Sequence, residues 1–192
     1  MAVPQNFLMI SDFGNMLAAG LRLARAALKE HSMSMNGATL KTLREALGIP
    51  IAWLAEAGNV QERTARYWEA RLDDVPDDVR VLFEELERVA AQAVAHEIEV
   101  IQSWIAKHGI PQEPVLLIRY QDATDMDRYQ SDMAGFPVTF HAAILARVRW
   151  AMQQEGVEVV IHSFDARAYE AWRRDIGQVD SPTLRAQFVA MA

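Results

Sequence analysis

The sequence predicts a mainly α-helical protein in which an N-terminal helix-turn-helix domain is followed by a long helix and a small α+β dimerisation domain. Three observations predict it. Residues 36–69 contain three short runs of helical periodicity, separated by Gly48-Ile49-Pro50 and by Gly58-Asn59. Residues 77–107 keep apolar side chains on one broad helical stripe with no internal Gly or Pro. Two short apolar runs, 115–120 and 157–163, have the length and bounding residues of strands. The corresponding division is a helical extension at 1–34, the helix-turn-helix domain at 35–76 and the remainder at 77–192, with the boundary at Val75-Pro76.

Composition narrows the function. A chain of 192 residues with 51% hydrophobic content buries a sizeable core. The absence of cysteine excludes disulfides, thiolate nucleophiles and sulfur-ligated zinc, and fits a reducing, cytoplasmic compartment. No apolar run approaches the roughly 18 residues of a membrane span, so no membrane partner is expected. The formal charge of −7 argues against indiscriminate coating of nucleic acid. It leaves room for a sequence-specific reader, which needs one positive face within about 8 to 10 Å of the duplex.

The elements follow in order. In residues 1–34, Leu17, Leu21, Ala24 and Leu28 with Arg22, Arg25 and Lys29 describe an amphipathic helix packing on the main body. Asp12 and the lack of a compact apolar core make it a poor secretory signal. Asn36 is the expected N-cap of a helix over 37–47, with Leu40, Leu43 and Leu47 inward and Gly48 as its stop. Pro50 suits the first turn of a second helix over 51–57. Gly58-Asn59 tolerates positive φ and turns the chain into a third, polar helix over 61–69. On that helix Arg63, Arg66 and Tyr67 share one face, while Val60, Thr64, Ala65 and Trp68 lie nearer the other. A short helix, a tight turn and a polar helix make the helix-turn-helix pattern.

Asp77 and Asp78 restart helical structure where acidic residues favour the dipole, and Lys107-His108-Gly109 ends it. At about 1.5 Å per residue that helix spans roughly 45 Å, and part of its apolar stripe is expected to meet a second subunit. Trp104, with Ile101 and Ile105, is the expected dimer contact. After the first strand come a short helix near 124–133 and a longer one capped by Thr139 and closed by Gly156. The second strand, a helix over 165–176 and a short C-terminal helix after Ser181-Pro182 complete the chain. Two strands alone are marginal, so they either pair with each other under helices or are completed by another subunit. Trp53, Trp150 and Trp172 are read as core or interface.

Leu54-Ala55-Glu56, Gly58, Val60, Arg63-Thr64 and Tyr67-Trp68-Glu69 resemble the Xre/lambda-repressor-like helix-turn-helix signature. Val75-Pro76-Asp77-Asp78-Val79, the long helix, the strand ending Arg119-Tyr120 and the helix from Phe140 to Trp150 are similar to small bacterial and phage proteins that include the anti-CRISPR-associated autorepressors of the second type. The similarity covers about 35–160. It implies a homodimer that binds double-stranded DNA at an inverted-repeat operator of its own promoter and represses it. It also implies that Arg63, Arg66 and Tyr67 enter the major groove. The sequence departs from the pattern at Ile51, where relatives often place a polar phosphate contact, and at Ala70-Arg71.

The assignments that follow are Gln61, Arg63, Arg66 and Tyr67 for base reading, and Lys41, Arg44, Thr64, Trp68 and Arg71 for phosphate contact. No cofactor is expected. Of the five histidines, none shows metal-ligand spacing, no nucleophile elbow or phosphate loop is present, and no catalytic residue is assigned. A protein-interaction adaptor that kept this scaffold without binding DNA is the competing reading. Small-molecule chemistry in the C-terminal part has no motif behind it.

Overall fold

The computed structural model describes residues 34–70 and 75–191. The predicted helix at 1–34 therefore lies almost wholly outside the described residues, as does Arg71. The described chain is mainly helical with one two-stranded parallel sheet.

Helix α1 (Gly37–Ala46) starts where expected, with the Asn36 side chain accepting from the Thr39 N–H at 2.9 Å. It ends at Gly48, which holds φ of 66°. Helix α2 (Ile51–Ala57) follows, but Pro50 is its N-cap, with extended ψ of 147°, and not a first-turn residue. The turn after α2 also differs from expectation in detail. Gly58 keeps φ of −82° and Asn59 alone takes positive φ, at 49°. Gly58 is small for a different reason: an added Cβ would stand 3.1 Å from the Trp68 ring. Helix α3 is Glu62–Ala70, preceded by Gln61, whose carbonyl accepts from Thr64 and Ala65.

Helix α4 (Asp77–His108) carries Asp77 and Asp78 in its first turn and Lys107 and His108 in its last, matching the dipole at both ends. Its apolar stripe is covered by the chain itself: Val79, Phe83, Leu86, Ala90, Ala93 and Ile101 are all buried, with helix α6 (Val138–Gln154) as the main partner. Ile101, at 1% exposure, belongs to this internal core and is not available to a second subunit. Trp104 and Ile105 remain half-buried.

Strand β1 (Val115–Arg119) and strand β2 (Val159–Ser163) pair with each other in parallel, Val115 beside Val159 and Arg119 beside Ser163. Parallel pairing requires a crossover, supplied here by helix α5 (Ala123–Tyr129), a 3₁₀ turn (Ser131–Met133) and α6. The predicted single helix near 124–133 is thus split in two. Helix α6 packs on both strands, and helix α8 (Pro182–Ala190) packs on β1, so a pair too small to stand alone is covered by helices. Helix α7 (Ala166–Asp175) is capped by Asp165, and α8 by Ser181 with Pro182 in its first turn. Tyr120, Tyr129, Phe164, Tyr169 and Phe188 form an aromatic cluster tying these last helices to the sheet, with neighbouring ring centroids 5.0 to 6.4 Å apart.

The N-terminal three-helix unit is bolted to α6. The Thr139 hydroxyl donates to the Gly48 carbonyl and does not cap its own helix, whose N-cap is Pro137. Trp53 donates from Nε1 to the Gly135 carbonyl at 3.0 Å and stacks near Phe136 at 6.2 Å. Trp53 is therefore a contact between the two parts. Trp150, expected in a core or interface, is 65% exposed on α6.

Candidate functional site

Helix α3 is short and polar, and two buried side chains anchor it to α2. Ala65 is fully buried and Trp68 is 9% exposed, three residues apart and so on the same side of the helix. Trp68 packs against Gly58, which lets α3 close tightly on the end of α2. Leu54 and Ala55 form the α2 side of the contact. The turn between them is held by the Val60 N–H donating to Ala55 at 2.9 Å.

With Ala65 and Trp68 inward and Glu69 turned to Arg44, most of the remaining positions face outward. Gln61, Arg63, Thr64, Arg66 and Tyr67 are all exposed, Tyr67 at 59%. The predicted grouping of Arg63, Arg66 and Tyr67 on one outer face holds. Thr64 departs from the sequence expectation, since it stands in solvent on the flank. Arg66 pairs with Glu62 one turn earlier at 3.2 Å, both side chains at least half exposed, so the pair contributes little and is readily exchanged for another acceptor. Among the described residues Arg63 has no ion pair. Lys41 is exposed on α1.

Two predicted phosphate contacts are placed elsewhere. The Arg44 guanidinium pairs with the Glu69 carboxylate and donates to the Ile49 carbonyl at 3.0 Å, its side chain only 15% exposed. It clamps α1 to the end of α3 and to the α1–α2 turn. Burial of Trp68 makes it a packing residue. Arg71 lies outside the described residues. The pair Arg44–Glu69 links positions 25 apart, a separation that local periodicity does not reveal.

The face of α3 therefore presents guanidinium, amide and phenol groups on a helix whose opposite side is locked. Such a surface donates hydrogen bonds to anionic or acceptor-rich partners. Several other polar groups of the described residues are buried away from this face. The His141 ring is buried beside Tyr120, and burial with nearby Arg119 lowers its pKa to about 4. Glu97 is buried on α4, where desolvation and Asp132 push its carboxyl up to about 8. The Tyr129 hydroxyl donates to Glu170 at 2.7 Å, and Tyr169 donates to Asp180 at 2.6 Å. Among the described residues no group of His, Asp and Glu is arranged to hold a metal ion, and no helix is long and apolar enough to cross a membrane.

Neither known protein-family models nor curated proteins match the chain.

Proposed function

We propose that the chain is a sequence-specific DNA-binding transcriptional regulator, acting as a homodimer on an inverted-repeat operator and repressing its own promoter. One observation carries the reading: α3 follows α2 through a tight turn and is anchored by Ala65 and Trp68, with Gln61, Arg63, Arg66 and Tyr67 turned outward. A helix of that kind, held from behind, is what the helix-turn-helix mode inserts into a major groove. Arginine reads guanine bidentately, and the glutamine amide reads adenine. Lys41, exposed on α1, and Thr64, exposed on α3, serve as phosphate contacts. The net charge of −7 makes bulk attraction unhelpful. Binding then depends on the placement of a few side chains and on their doubling by symmetry.

The test is a gel shift and protection assay on the region upstream of the chain's own gene. A symmetric protected site is expected, with half-sites about one helical turn, roughly 34 to 36 Å, apart or a multiple of it. Arg63→Ala should weaken operator binding by about 1 to 3 kcal/mol and relax specificity at one base. Unchanged affinity in that variant would remove Arg63 from base reading. The acidic balance favours the adaptor as the second reading, and failure to retain promoter DNA at low salt would select it.

A further inference from the structure

Helix α4 buries one side in the core, through Ala93, Glu97 and Ile101. The flank adjoining it, from His96 to His108, borders an open groove of about 430 Å³ whose described lining includes Glu99, Val100, Ser103, Trp104 and Lys107. Its centre is small: Ser103, exposed, has Glu99 four residues before it and Lys107 four residues after it. The two charges lie one turn to either side of the serine, on the same half of the helix. Ile110, just past the helix end, is 59% exposed.

That arrangement is complementary to itself when reversed. Two copies of α4 packed antiparallel, with a twofold axis at Ser103, bring Glu99 of each to the level of Lys107 of the other. The opposite-charge contact is made twice. A parallel arrangement places like beside like. Ser103 at the crossing lets the helix backbones approach, and Val100 and Trp104 supply the apolar contact beside it. We infer that this face of α4 is the homodimer interface, formed antiparallel about Ser103. The inference deepens the proposed function only in taking the chain as a dimer. It replaces the buried Ile101 by the adjoining flank of the same helix, with Trp104 kept at its edge.

The experiment reads oligomeric state without DNA, so its outcome is separate from that of operator binding. The full chain is measured by sedimentation, together with E99K, K107E and the double reversal. A dimer is expected, weakened roughly tenfold by either single reversal, because two attractive contacts become repulsive, and restored by the double reversal. As the sequence contains no cysteine, a single Ser103→Cys supplies a second measurement that does not depend on charge. Two such residues at the axis fall within the Cα separation of about 4.4 to 6.8 Å that a disulfide needs. Mild oxidation should yield a covalent dimer, whereas Gln153→Cys, exposed on α6, should not. A monomeric chain, a dimer indifferent to both reversals, or no covalent dimer from Ser103→Cys would overturn the interface. So would cross-linking of the Ser103→Cys thiol, by a thiol-to-amine reagent, to Lys29 or the N-terminal amine of the same chain, which would make residues 1–33 the occupant of the face.

Discussion

Replacing Gly48 by alanine tests the junction between the three-helix unit and the rest of the chain. Gly48 holds φ of 66°, a region where a side chain costs about 1 to 2 kcal/mol. Strain is the smaller part. An added Cβ would lie 2.8 Å from the Thr139 carbonyl carbon and closer still to its oxygen. Neither atom belongs to a flexible side chain, so the start of α6 has to move away from the end of α1. The movement breaks the hydrogen bond from the Thr139 hydroxyl to the Gly48 carbonyl, worth about 0.5 to 1.5 kcal/mol. It also loosens the packing around it. The expected loss is about 3 to 5 kcal/mol, a large share of the 5 to 15 kcal/mol that holds a typical protein folded. Gly156→Ala is the matched control: φ is 77°, yet nothing lies within 4 Å of the added carbon, so strain alone remains. Urea denaturation of both variants, followed by far-UV circular dichroism and fitted with a common slope, measures the difference. Gly48→Ala should lose at least about 2 kcal/mol more than Gly156→Ala. Equal losses would refute the close approach of α1 and α6.

Glu69→Ala should destabilise the fold by about 1 to 3 kcal/mol in the same assay, because it takes the nearer carboxylate from the largely buried Arg44 guanidinium and leaves only the more exposed Glu45 at 3.5 Å. Trp53→Phe should cost about 1 kcal/mol by removing the hydrogen bond to Gly135 while keeping the ring, and a loss indistinguishable from zero would count against that contact. The pH profile of stability carries two opposing slopes. Glu97 titrates near 8 when folded and at 4.5 in its ordinary state, so the folded form holds the extra proton between these values and stability falls as pH rises across them. His141 titrates near 4 when folded and at 6.5 otherwise, so stability falls as pH drops from 6.5 towards 4. The two partly cancel below pH 6.5, and Glu97 acts alone above it. Glu97→Gln should flatten the decline between pH 6.5 and 8 in a urea series and expose the histidine slope below it. An unchanged decline would show that Glu97 does not hold the proton.

Local signals in the sequence reach as far as one helical turn or one reverse turn. They place Asn36 as a cap, because a cap is a contact over three residues, and they start the last two helices close to Asp165 and Ser181, which the structure shows to be their caps. They also place the outer row of α3, since the period of an α-helix puts Arg63, Arg66 and Tyr67 together whatever else the chain does. The mainly helical class and the two strands were legible on the same grounds. The direction of strand pairing was not, because parallel order depends on where the crossover through α5 and α6 returns. Arg44 looked like a phosphate contact because its partner, Glu69, is 25 positions away. Thr139 looked like a cap, whereas its hydroxyl serves Gly48 across 91 positions.

Sequence by itself determined which residues α3 can offer to a partner, since that follows from periodicity and residue type. Only the tertiary structure decided which charged groups are already consumed by the fold and which described residues of α4 are buried against α6. Those depend on packing between segments far apart in the chain: α6 covers the Ile101 side of α4, and Ser103, on another side, is exposed among the described residues.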